Sequence, residues 1–438
     1  MKKAVISILG IQNPKYSDNG IAHARDYDHQ ASYYFEGSSE KPKDYYNTLP
    51  LLIEKFSNNY EIIPIYTEDA KLFNQEILTH ANLECSFKDD ISLIEESEYF
   101  KIFTKIDELI ALYDEVIVDL THGFRHLPIL TIIDLVIQNF NSTKKIDKIL
   151  FAKEIVKHIP SVKGEYEIVD LKEYLDIANI SFVLSSFENN YTIANHIKTK
   201  DKDFQDLINM FSVFSEHIMA NSLLNLFKGK NSLAEKMNNI IETIKVDDKV
   251  KPILSKLENI QKHLALYIEL KDKKTYIQLF ELAKIMNKKG YYLNAITLLD
   301  EATGWYCAEK LCSFSKNFTN KYNQLLNQNS YTIVSNAKNI IKFTFNYKKY
   351  ANELRIIDID EIQKQIENIP QAKNFAKNLI NEVDHSRNNL AHGNSDEQIK
   401  NINMLFEKLF GRFNTYCIEK DILQKQKPTI ESLQKIFN

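Results

Sequence analysis

A chain of 438 residues exceeds what one ordinary core serves, so two or three domains are expected. Hydrophobic residues at 44% and charged residues at 26% give the balance of a soluble globular protein and exclude a fibrous or disordered chain. A net charge of -4 excludes nucleic-acid binding by bulk positive charge, so any RNA site must be local or formed by association.

Residues 4–9 form an apolar β-type run that ends at Gly10, and similar runs occupy 60–66, 115–120 and 146–152, with 166–169 ending the series. Helical patterns lie between them, at 44–57, 91–112 and 128–140. Alternating strands and helices, with near-continuous apolar strands, predict a parallel sheet covered on both faces. Beyond residue 171 strand-like runs nearly vanish. Long helical periods follow at 203–228, 231–244, 274–288, 291–314, 371–391 and 397–418. The expected architecture is an α/β domain joined directly to an all-α domain, with no internal repeat and no flexible linker.

Cys85, Cys307, Cys312 and Cys417 form no Cys-x-x-Cys pair and read as buried thiols of a reducing compartment. The opening apolar run is too short for a signal peptide, and no run reaches membrane-spanning length. A cytoplasmic location is expected, with no membrane partner.

The first constellation follows the 115–120 strand: Asp119-Leu120-Thr121-His122-Gly123-Phe124-Arg125-His126-Leu127-Pro128. Pro128 suits the first turn of a helix. Open α/β sheets bind ligands at the carboxyl ends of their strands. Thr121 and His122 offer donors, Gly123 lets backbone N–H groups approach, and Arg125 can grip a phosphate bidentately. A phosphate or nucleotide site is one reading. A capped turn whose arginine pairs with a surface carboxylate is the other. The loop is neither Gly-x-Gly-x-x-Gly nor a Walker A motif.

The second constellation is Asp384-His385-Ser386-Arg387-Asn388-Asn389-Leu390-Ala391-His392-Gly393, near a helix end with Gly393-Asn394 as cap and turn. Arginine and histidine suit metal-free RNA cleavage. Histidine moves a proton near neutral pH, and arginine stabilises charge building on a phosphorane. On a regular helix, positions five apart differ by about 140° and about 7.5 Å of rise, so Arg387 and His392 do not converge. Either the helix breaks there or two copies share a cleft. A solvated polar helix end is the bland alternative.

Two weaker features carry no site. His23, Asp26, Asp28 and His29 read as a polar loop, because a second set of metal ligands is missing. Trp305 reads as a packing residue of the helical core.

The ten-residue loop at 119–128 closely resembles the signature loop of CARF domains, the CRISPR-associated Rossmann fold. The strands at 5–10 and 167–171 resemble that family's first and last sheet elements. The resemblance covers residues 1–175. It implies that Thr121, His122, Gly123, Phe124, Arg125 and His126 line a pocket for a cyclic oligoadenylate. Gly10, Ile11, Gln12 and Asn13 would form the other wall. Tyr33 and Tyr34 are expected either to stack adenines or to fill the sheet core.

Arg387-Asn388 followed by Leu390-Ala391-His392-Gly393 resembles the active-site motif of HEPN ribonucleases, and 290–302 resembles another element of that domain. The resemblance implies a ribonuclease domain at 281–438, with Arg387, His392 and Asn388 catalytic. The segment 176–280 is then a helical connector or an extension. Both resemblances together, in this order, match the CARF–HEPN effectors of type III CRISPR systems. They imply a homodimer activated allosterically by a cyclic oligoadenylate, with the tetra-adenylate as the expected ring. The substrate would be single-stranded RNA, the product a 2′,3′-cyclic phosphate, and no metal or other cofactor would be needed. Alternatives are a ring nuclease acting in the CARF pocket, a non-catalytic CARF regulator, and a HEPN domain that only binds nucleotides or a toxin. A regulator would leave the Arg387/His392 pair unexplained and would need a winged-helix pattern that is missing.

Overall fold

Alternation along the first strand sets up two packed faces. In β1 (Lys3–Ile8), Ala4, Ile6 and Ile8 join Val116 and Val118 of β7 (Glu115–Asp119) on one face of the sheet. Ile106, Leu109 and Ile110 of the helix Tyr99–Leu112 cover that face. Val5 and Ile117 point the other way, onto Leu51 and Leu52 of the helix Leu49–Phe56. A period of two with both registers apolar requires cover on both sides, as expected. The computed structural model describes residues 2–424 apart from 12–14, 19–21, 24–29, 90–98, 123–128, 130, 134, 138–144, 160–161, 194–197, 200, 247, 327, 346–350 and 394–398.

The sheet has seven strands in the order β5-β4-β9-β8-β7-β1-β6, with β4 Ala31–Phe35, β5 Lys43–Tyr45, β6 Glu61–Ile65, β8 Ile146–Val156 and β9 Glu165–Asp170. A separate ribbon pairs β2 (Lys15–Tyr16) with β3 (Ala22–His23). The sheet is mostly parallel, as expected, with β8–β9 and β4–β5 antiparallel. The reason is connection length. A parallel crossover needs about a dozen residues or more, and 157–164 and 36–42 are too short to supply one. Pro64 sits in β6, an edge strand, where no second ladder needs its missing N–H.

The helix expected from residue 44 begins at Leu49 instead, with Pro50 in its first turn, because Lys43–Tyr45 pair as β5. After Asp170 the described residues contain no strand. The helices expected at 274–288, 291–314, 371–391 and 397–418 are present as Thr275–Lys288, Tyr292–Leu311, a run from Ala372 to Ala391, and Ile399–Phe413 continued by Asn414–Glu419. Both of the last two contain a π turn, at Ala376–Ile380 and Asn414–Glu419. Helices at Lys172–Asn190, Leu254–Glu269, Lys316–Leu325 and Ser330–Thr344 were not singled out in the sequence.

The chain divides into two compact units: Met1–Glu188 with Thr192–Ser212 and Ile240–Asn259, and Asn189–Tyr191 with Val213–Asn239 and Ile260–Asn438. Residues of 176–280 occur in both. In the second unit, the helix Tyr292–Leu311 is buried around most of its circumference. Gly304 makes this possible. A Cβ there would lie 2.4 Å from Val334 Cγ1 of the helix Ser330–Thr344.

All four cysteines are free thiols, but only Cys307 and Cys417 are buried, and Cys85 and Cys312 are half-buried. Trp305 is half-buried against Tyr322 at the surface of its helix. No helix among the described residues is long and apolar enough to cross a membrane.

Candidate functional site

Two loops leave the sheet side by side. Ser7 and Asp119 are register partners at the carboxyl ends of β1 and β7, and β1 lies between β6 and β7, so the strand order reverses here. Asp119 is 1% exposed and organises the turn. One oxygen accepts from Ser7 Oγ at 2.9 Å and from Thr48 Oγ1 at 2.9 Å. The other accepts from the Thr121 backbone N–H at 3.1 Å and the Thr121 hydroxyl at 2.6 Å. The Thr121 hydroxyl in turn accepts from Ala152 N at 3.0 Å.

His122 is buried, and its Nε2 accepts from the Thr48 backbone N–H at 3.1 Å. Burial lowers its pKa, against the raising pull of Asp119. The ring is therefore a neutral acceptor. Thr121 and His122, expected to present donors to a ligand, instead engage partners inside the fold. The same is true of the first wall. Gly10 O accepts from Asn74 Nδ2 at 3.2 Å, and Asn74 Oδ1 accepts from Asn47 Nδ2 at 2.7 Å. Ile11 packs between two hydrophobic clusters, one holding Tyr66 and the other Phe73. Gln12, Asn13, Gly123, Phe124, Arg125 and His126 lie outside the described residues. Tyr33 is a core residue, stacked on Tyr166 with centroids 5.2 Å apart, and Tyr34 is half-buried beside it in β4.

In the helical unit, Arg387 lies on the helix Asn381–Ala391 and donates through Nη1 to Asp300 Oδ2 at 2.8 Å. Nη2 donates to Asn388 Oδ1 at 3.3 Å. Asp300 is buried and also pairs with Lys338. Lys338 donates to Asp384 at 2.7 Å, and Lys342 donates to the other Asp384 oxygen at 2.7 Å. Burial pushes the Asp300 carboxyl up, against the pull of Lys338 and Arg387. Burial and the Asp300 charge likewise raise Glu301, the next residue. A cleft of about 180 Å³ opens over this network, lined by Arg387, Asn388, Glu301 and the helix Ser330–Thr344. Arg387 is half-exposed there, so a phosphate could reach the guanidinium while Asp300 holds it from behind.

The helix stays regular to its end. His392 is its C-cap, its backbone N–H donating to Asn388 O at 3.0 Å, and Gly393 follows at φ +63 in the left-handed region. The helix is not broken between the two residues. His392 is exposed and does not line the Arg387 cleft. One copy of the chain therefore does not bring the pair together.

Sequence reasoning assigned no role to Ser7, Thr48, Asp300 or Lys338. Their partners lie 38 to 112 positions away in the chain. Only the carboxylates at the strand end, Asp119, and within 290–302, Asp300, carried any local signal.

No family model and no curated protein matches this chain. Among solved structures it is similar to Csm6 of Enterococcus italicus, bound to cyclic hexa-2'-fluoro-hexa-dAMP. The identity is 12% and the TM-score 0.37, over 96% of each chain.

Proposed function

We propose that this chain is an endoribonuclease of type III CRISPR antiviral defence, activated by a cyclic oligoadenylate and cleaving single-stranded RNA without a metal ion. The observation that carries the reading is Arg387, held by a buried carboxylate at the wall of an open cleft, with His392 five residues on at the end of an unbroken helix. Arginine and histidine so placed can serve 2′-hydroxyl attack on the adjacent phosphorus. The 2′ oxygen bonds to phosphorus, the bond to the 5′ oxygen breaks, and the products are a 2′,3′-cyclic phosphate and a 5′-hydroxyl. His392 carries the proton, Arg387 stabilises the phosphorane, and Asn388 steadies the second guanidinium nitrogen.

The helix geometry separates Arg387 from His392, so the complete site belongs to a homodimer in which two copies face each other. The activator contacts residues 10–13 and 121–126 of both copies, with the fold holding Gly10, Thr121 and His122 in place. The test is RNA cleavage with and without each cyclic oligoadenylate, in the presence of EDTA. Arg387→Ala and His392→Ala are expected to abolish cleavage and to keep activator binding. Arg125→Ala is expected to weaken that binding by about 1.5–3 kcal/mol in calorimetry. Full cleavage by the His392→Ala protein would sink the assignment.

A further inference from the structure

The cleft beside Arg387 has a second wall that the cleavage chemistry does not use. Tyr331, Ser335 and Asn339 follow one another at intervals of four along the helix Ser330–Thr344, so they share one face. All three line the cleft with Arg387 and Glu301.

Tyr331 is 63% exposed, a large ring left in water at the rim of a polar cleft. Ser335 and Asn339 are half-buried, and among the described residues no hydrogen bond engages either side chain. The contrast is Asn336, on another face of the same helix, which donates to Thr332 O at 2.9 Å. Glu301 also reaches the cleft with no hydrogen bond to its carboxyl among the described residues. Polar groups at a cleft wall that the fold does not engage are available to a ligand.

We infer that this wall is a subsite for the nucleobase on the 5′ side of the scissile phosphate, and that it selects a base with an exocyclic amino group, adenine, cytosine or guanine, over uracil. The inference rests on the ribonuclease reading above. Tyr331 offers a π face on which a splayed base stacks. The Asn339 amide presents a donor and an acceptor together, which match the ring nitrogen and amino group of adenine or cytosine. A Glu301 oxygen accepts from the amino group in either protonation state. Uracil has no amino group and would instead turn a carbonyl oxygen toward that carboxyl, which disfavours it. At about 180 Å³ the cleft suits a single base, being smaller than the roughly 300–1,000 Å³ of sites for drug-sized ligands.

The test maps cleavage positions on a mixed-sequence single-stranded RNA, using the full chain with the activator that switches it on. The wild-type protein should cut at least about fivefold more often after adenine, cytosine or guanine than after uracil. Asn339→Ala should flatten that profile. Glu301→Gln, which brings a donor, should raise cutting after uracil. Tyr331→Ala should lower kcat/KM about tenfold through KM, and Tyr331→Phe should restore it. Strong cleavage with a flat wild-type profile overturns the subsite and leaves the ribonuclease reading standing. So does an unchanged KM in Tyr331→Ala together with an altered subunit state, which would assign Tyr331 to a contact between copies. Absence of cleavage with every cyclic oligoadenylate overturns the ribonuclease reading, and this inference with it.

Discussion

Asp300 and Arg387 form an ion pair that runs from the core of the helical unit to its surface: the carboxylate is 4% exposed, and the guanidinium bonded to it at 2.8 Å is half-exposed. An arginine anchored on one nitrogen keeps its other donors aimed in a fixed direction. That is what a group meant to meet a phosphorane requires.

Asp300→Asn removes the anchor and one of two carboxylates on Lys338, which retains Asp384. A stability loss of about 2–3 kcal/mol is expected from urea unfolding, less than for a fully stranded buried charge. RNA cleavage should fall about tenfold or more in kcat, because the guanidinium loses its orientation. Lys342→Met is the control. Among the described residues its ammonium pairs only with Asp384, at the edge of the network, and the change should leave kcat within about twofold. Equal kcat losses in the two variants would show that the network acts only through stability.

The sensor turn should weaken in acid. Burial lowers the pKa of His122, so the unfolded chain takes up its proton near 6.5 and the folded chain only at lower pH. Between these values the unfolded state binds more protons. The contribution of His122 to stability is therefore complete above about pH 6.5 and is lost as pH falls. Protonation also destroys the acceptor for the Thr48 N–H. Urea unfolding of the α/β unit should show a lower midpoint at about pH 5.5 than at about pH 7.5, and His122→Gln should reduce the difference. An unchanged pH dependence in that variant would place the acid-sensitive group elsewhere.

Gly304 is required by close packing and not by backbone freedom. A methyl group there meets Val334 at 2.4 Å, and the helix Ser330–Thr344 must move. Gly304→Ala should cost about 1–3 kcal/mol in denaturant unfolding, where Ala for Gly in an open helix would stabilise. Pairing it with Val334→Ala should recover part of the loss, a coupling visible in a double-mutant cycle.

Association is tested by mixing. A wild-type chain is co-expressed with an Arg387→Ala/His392→Ala chain, and the heterodimer is isolated. If each chain held a complete site, the heterodimer would keep about half the activity. A composite site, expected because Arg387 and His392 diverge on their helix, should lose far more than half.

Much of this protein was legible in its residue order. Short apolar runs with period two, and long ones with period 3.6, placed β1, β6, β7, β8 and β9 and most of the later helices, because local side-chain geometry sets both periods. Even the antiparallel return of β9 is implied by a connection too short for a crossover. The Arg387–His392 spacing and the Gly393 cap could likewise be read as a helix end. What the sequence left open was which side chains face a ligand and which face the fold. Thr121 and His122 looked like donors for a ligand until the tertiary structure set Asp119, Thr48 and Ala152 against them. Nothing in the sequence assigned a role to Asp300 or Lys338; three helices bring them under Arg387. Partners in such networks are far apart in the chain, and hydrogen bonding and burial act on distance in space, which only the packed fold decides.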